Sequence, residues 1–258
     1  MTTMSNISPR KRKLCDFSEE TVIILVGPSV KSYTVHPTIL TNHSRFFRAI
    51  FSNHTFRESY EKVARLPEVD VGIFQIYITY VYSGNIVLSK HEGGEEYGKD
   101  NDPDGVMRFQ ILVQLYSLAN YLHDGNLKNS IIDYLMGLNE LLDSGATAAA
   151  ITLAFETNAQ ESSALCRLLV DTYLFSCYPK FLKDSWNDLP SAFIGSLTFG
   201  WAQASWDKST VYAHPSAAAR CKYHEHDEDV PVDESGTCGI GPIKTTPKKG
   251  AKSGVIRR

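Results

Sequence analysis

The stretch from Tyr33 to Leu40, YTVHPTIL, decides the fold. Its first half alternates as a strand does, and Pro37 stands where the first turn of a helix tolerates proline. Upstream, residues 22–26 (VIILV) form a β-branched run that ends at Gly27-Pro28. The two runs therefore predict a β-hairpin that leads directly into a helix.

The chain that follows continues with short, well-punctuated elements. Apolar residues recur at helical spacing with a bend expected near Ser44, residues 63–66 predict a strand, and Asp70 is placed to cap a helix that ends before Gly84. Residues 89–105 are rich in glycine and acidic side chains and predict a flexible insertion. Further helical patterns cover residues 106–122, the region from 127, and the regions around 147–155, 164–175 and 191–201.

This order of elements resembles a BTB/POZ domain over residues 20–138. The residues that carry the resemblance are Val26-Gly27, Tyr33 to Leu40, Ser44, Phe46-Phe47, Phe51, Phe56 to Ser59, Val63 to Pro67, Phe74, Tyr80 to Ile86 and Leu115 to Leu122. The resemblance implies an α+β fold, a small sheet flanked by helices, here followed by an all-helical extension. That extension and the segment CKYHEH at residues 221–226 look like fungal members of the family.

The chain is accordingly divided into five parts. We expect a disordered basic arm at 1–18, the BTB/POZ domain at 19–138 with its acidic insertion at 89–105, and a helical extension at 139–210. A candidate metal-binding segment at 211–226 and a mostly disordered tail at 227–258 complete the chain.

Phe56 and Glu58 match a hydrophobic-x-Glu pattern. The resemblance implies that such a pair holds the cullin scaffold of a ubiquitin ligase, with the aromatic ring in a pocket and the carboxylate at its rim. A second interpretation is open at this point: Phe56 closes the core beneath a loop while Glu58 is solvated.

Four residues near the C-terminus have the chemistry of a zinc site. Cys221, His224 and His226 lie within six residues, and Cys238 follows 12 residues after His226. Two thiolates and two imidazoles form a tetrahedral zinc set. Because the segment has little apolar content, we expect metal rather than packing to order it. The alternative is a polar, mobile stretch, and no other cofactor is required.

The composition limits the classes of function. The net charge of −3 does not favour nucleic-acid binding, although basic runs mark both ends, at residues 10–13 and 244–258. The chain has no apolar run near the ~18 residues that a membrane span needs. Its five cysteines form no CxxC pair, which suits a cytoplasmic or nuclear protein. Motifs of hydrolases and nucleotide-binding enzymes are missing.

These observations predict a scaffold or adaptor rather than an enzyme. We expect the protein to dimerise through the BTB domain, where aliphatic and aromatic residues are dense between Val22 and Phe51. A cullin scaffold and a client protein are the expected partners. The alternative is a nuclear regulator of transcription or chromatin that contacts nucleic acid through its basic ends.

Overall fold

The predicted hairpin opens a three-stranded sheet. The computed structural model describes residues 18, 20–52, 56–88, 105–137, 146–157, 163–176, 178–218 and 220–226. Strands β1 (Val22–Val26) and β2 (Lys31–Val35) are antiparallel, and β3 (Val63–Leu66) joins β1 in parallel to give the order β2-β1-β3. Alternate residues of the central strand β1 are buried, which fixes its register.

The bend predicted near Ser44 is confirmed. Helix α1 (Pro37–His43) ends there and α2 (Arg45–Ser52) begins. The buried Ser44 hydroxyl donates to the Leu122 carbonyl at 2.6 Å and accepts the Phe47 amide at 3.1 Å. One side chain therefore caps α2 and ties this corner to a distant part of the chain.

Helices α3 (Arg57–Glu61) and α4 (Val71–Ser83) flank the third strand. The Asp70 carboxylate accepts the Ile73 amide at 2.9 Å, and Gly84 ends α4 with a φ of 75°, as predicted. Helices α5 (Val106–Tyr121) and α6 (Gly125–Gly137) follow and pack against each other. Asp124 lies between them in the sequence, and its buried carboxylate accepts the Leu127 amide and caps α6. Gly105, assigned above to the insertion, is buried and directly precedes α5; residues 89–104 lie outside the described part.

The second half contains four described α-helices. They are α7 (Ala148–Thr157), α8 (Ala164–Ser176), α9 (Pro179–Ser185) and α10 (Ser191–Trp206). Helix α7 packs on α5, and α8 packs on α7 and α10, so the extension continues the core of the first half. Helix α9 was not predicted from the sequence; it is only two turns long and begins at a proline. Within the described ranges, no helix is both long and apolar enough to cross a membrane.

Candidate metal centre and partner-binding surfaces

Three of the four predicted zinc ligands come together. Cys221, His224 and His226 each place a ligand atom within 4.8 Å of the others. His224 is buried, whereas Cys221 and His226 are partly exposed. Cys238 lies outside the described residues. A thiolate and two imidazoles at this separation are a ligand set that suits zinc.

The segment that carries these ligands, residues 221–226, is called the strap. Its Tyr223 ring is fully buried, and the phenol donates to the Asp171 carboxylate on α8 at 2.7 Å. Lys222 Nζ lies 2.7 Å from the same oxygen. The expectation that packing could not order this segment is therefore wrong, because a single buried tyrosine provides a large apolar contact.

The strap is fastened equally to helix α6. The Asn129 side chain donates to the Glu225 carbonyl at 2.9 Å and accepts the Glu225 amide at 2.8 Å. Next to it, His224 Nε2 lies 3.1 Å from Asp133 Oδ1, and both side chains are buried. Since α6 belongs to the first half and α8 to the second, the strap joins the two halves.

The Glu225 carboxylate interacts with a tyrosine and a lysine of the first half of the chain. Tyr116 on α5 donates to one of its oxygens at 2.7 Å, and Lys128 on α6 forms an ion pair with the other. Burial opposes ionisation of Glu225, but the hydrogen bonds from Lys128 and Tyr116 and the Lys128 charge bring its pKa below the usual value. Burial and the neighbouring Glu225 raise the pKa of Tyr116 strongly. In the hydrogen bond between them, the Glu225 carboxylate is therefore the acceptor and the Tyr116 hydroxyl is the donor.

Phe56 lies outside the hydrophobic core. It immediately precedes α3 and is 43% exposed, Glu58 is half-buried in the first turn of that helix, and Tyr60 is 71% exposed. We call these three residues the α3 patch. An exposed phenylalanine does not fit the interpretation in which it closes the core.

Helix α10 presents a second exposed apolar surface. Gly195, Phe199, Ala202 and Trp206 are exposed and follow one another at intervals of four, three and four residues, so they share one side of the helix. Phe199 is 73% exposed and Trp206 92% exposed. We call this surface the α10 face. Trp206 does not pack on the core, whereas Trp201 does.

Comparison with known proteins identifies the fold as a protein-interaction module. Residues 9–135 match the sequence profile of the BTB/POZ domain. The chain is also similar to Kelch repeat and BTB domain-containing protein 4 from Homo sapiens, Pongo abelii and Mus musculus, with 28% identity over 85 residues in each case. The match covers 33% of this chain and 16% of each relative, so the chain spans about a sixth of their length.

The chain therefore carries a BTB/POZ domain, as its sequence predicted. The resemblance to fungal members stays a prediction. The role of the basic ends also stays a prediction, because residues 10–13 and 244–258 lie outside the described part. The strap's anchors Asn129, Asp133 and Asp171 were not predicted from the sequence, since they lie 96, 91 and 52 residues from the groups they bind. The α10 face had a detectable signal: the helix has 16 residues and no charge.

Proposed function

We propose that this protein is an adaptor that binds one protein through its BTB/POZ domain and another through its helical extension. The observation that carries the proposal is the presence of exposed aromatic residues on two separate helices, α3 and α10. Exposed aromatic residues of this size are typical anchors of protein interfaces. No catalytic role is assigned to the chain.

The α3 patch is proposed to bind a cullin scaffold. Phe56 would enter an apolar pocket, and the Glu58 carboxylate would accept hydrogen bonds at its rim. The exposure of Phe56 supports this role over a place in the core. Tyr60 lies one turn further along and enlarges the aromatic surface to two rings.

The α10 face is proposed to bind the client. Its 4-3-4 spacing is the spacing by which one helix packs along another, and the whole of α10 carries no charged side chain. We therefore expect the client to present an uncharged, apolar helix to Phe199 and Trp206.

Self-association is a further part of the proposal, and it rests on the BTB/POZ domain. Most of the apolar residues between Val22 and Phe51 are used in the core, while Ile23 and Val30 are exposed. We expect a dimer that buries part of this exposed surface. Sedimentation of the full chain at tens of micromolar tests it, and a monomer at that concentration would contradict it.

The cullin interaction is tested with purified components. The full chain with Phe56 and Glu58 both changed to alanine should lose binding to a purified cullin N-terminal domain, and its thermal midpoint should stay near that of wild type. Arg57→Ala, an exposed change on the same helix, is the matched control. If wild type does not bind the cullin, or if the thermal midpoint of the double variant is clearly lower than that of wild type, the assignment of the α3 patch to cullin binding fails.

The client interaction needs a separate experiment. Phe199→Ala combined with Trp206→Ala should remove a client that wild type captures, while Gln203→Ala on the same helix retains it. The captured protein is then expressed and its direct binding measured. If no binding partner distinguishes the two variants, the α10 face has no client role.

A further inference from the structure

We propose that Cys221, His224 and His226 bind one structural zinc ion, and that Asp133 orients His224 for this purpose. The three ligand atoms lie within 4.8 Å of one another. Zinc prefers thiolate and imidazole ligands. It is not redox-active, and it commonly serves as a structural ion. The site is independent of the partners proposed above.

The strap holds the ligands in place before any metal binds. Tyr223 and Glu225, which alternate with His224 and His226 along the chain, are fastened to α8 and α6 respectively. The backbone is therefore held on both sides of His224, at Tyr223 and at Glu225, and Glu225 also directly precedes His226. Such preorganisation reduces the ordering that metal binding would otherwise have to bring about.

Asp133 supplies the carboxylate that commonly accompanies a zinc-bound histidine. Its Oδ1 lies 3.1 Å from His224 Nε2, and both side chains are buried. A histidine that binds zinc through one ring nitrogen usually donates the other N–H to a carboxylate, which fixes the tautomer and the ring orientation. With Nε2 directed to Asp133, zinc would bind His224 through Nδ1.

His226 provides a second, independent observation. Its Nε2 atom is buried and has no hydrogen-bond partner among the described residues. Buried polar nitrogens in proteins nearly always have a partner. Its ring centroid lies 6.0 Å from that of His224, a separation that allows both imidazoles to reach one ion. Zinc at His226 would account for this nitrogen.

The ion would hold together two parts of the fold. The strap contacts α6 through Asn129 and Asp133 and α8 through Asp171, so a metal that stiffens the strap fixes the helical extension against the BTB/POZ domain. Cys238, the fourth ligand predicted from the sequence, lies outside the described residues and is not part of the site proposed here.

The first test is metal content of the full chain purified without chelator. Elemental analysis should find about one zinc per chain. Cobalt(II) in place of zinc should give the charge-transfer absorption of a thiolate ligand, and Cys221→Ser should reduce it sharply. His226→Gln should lower the zinc content sharply, whereas His123→Asn should not: His123 is exposed, and asparagine suits its φ of 52°.

A second variant separates metal loss from misfolding. Asp133→Asn keeps the size of the side chain but removes the carboxylate, and it should weaken zinc binding roughly 10–100-fold in competition with a chelator while leaving the circular dichroism spectrum unchanged. Wild-type protein without zinc and without the cobalt–thiolate absorption would overturn the proposal, and so would full zinc content in Cys221→Ser.

Discussion

Replacing Asn129 by alanine should loosen the strap from helix α6. The side chain is buried and makes two hydrogen bonds to one residue of the strap, to the Glu225 carbonyl at 2.9 Å and from the Glu225 amide at 2.8 Å. It thereby satisfies a backbone donor and a backbone acceptor in the same way as a neighbouring strand would. Alanine removes both bonds and leaves both backbone groups without this partner.

The cost follows from these two bonds. Each contributes about 1 kcal/mol net, and a buried group left without a partner costs about 1–3 kcal/mol. Because Glu225 is partly exposed, water can reach part of the gap, so we expect Asn129→Ala to lower the free energy of unfolding by about 2–4 kcal/mol. With an m-value of roughly 3 kcal/mol/M, the urea midpoint would fall by about 1 M.

The assay is urea unfolding followed by circular dichroism, with hydrogen exchange of the strap amides as a local readout. Asn126→Ala is the matched control, since it is the same residue type, exposed, in the first turn of the same helix. It should change the stability by less than about 0.5 kcal/mol. If Asn129→Ala is as mild as this control, or if strap exchange is unchanged, the strap is not held as described.

Three further predictions concern the BTB/POZ domain and the core. Gly27→Ala should destabilise by about 1–2 kcal/mol in urea unfolding, because φ is 71° and a Cβ would lie 2.9 Å from Val71; wild-type stability would refute this. Asp70→Ala should cost about 1 kcal/mol and Asp70→Asn much less, since only alanine removes the helix cap; equal losses would refute the capping role. Burial raises the pKa of Tyr77 and Tyr173, so their contribution to stability is complete below the unfolded-state pKa of about 10 and is lost as the pH rises above it; the tyrosinate absorbance of these two residues, taken as the difference between wild type and the variants Tyr77→Phe and Tyr173→Phe, should appear together with unfolding, and its appearance before unfolding would contradict this.

Features that depend on close neighbours were predicted correctly. The Asp70 cap and the Gly84 terminus involve contacts within four residues, and the hairpin needs only β1, β2 and the turn between them. Three of the candidate zinc ligands fall within six residues, so their proximity was also visible in the sequence. In each case the short connecting chain allows few alternative arrangements.

Long-range packing determined features that local sequence patterns do not predict. Trp206 and Trp201 are the same residue type on the same helix, yet only Trp201 packs on the core, because the neighbouring helices determine which side of α10 is covered. Likewise, the composition of residues 221–226 predicted a segment too polar to pack, since nothing nearby indicates the cavity that receives Tyr223.

The sequence by itself therefore determined the BTB/POZ class, the order of its elements and the chemistry of the candidate ligands. These depend on local periodicity, capping residues and side-chain type. Only the tertiary structure decided that Asp133 lies beside His224 and Asp171 beside Tyr223, at separations of 91 and 52 residues. Such pairs form when helices that are far apart in the sequence pack together. Sequence patterns of period two or 3.6 show which side of an element is apolar, but not which distant element packs against it.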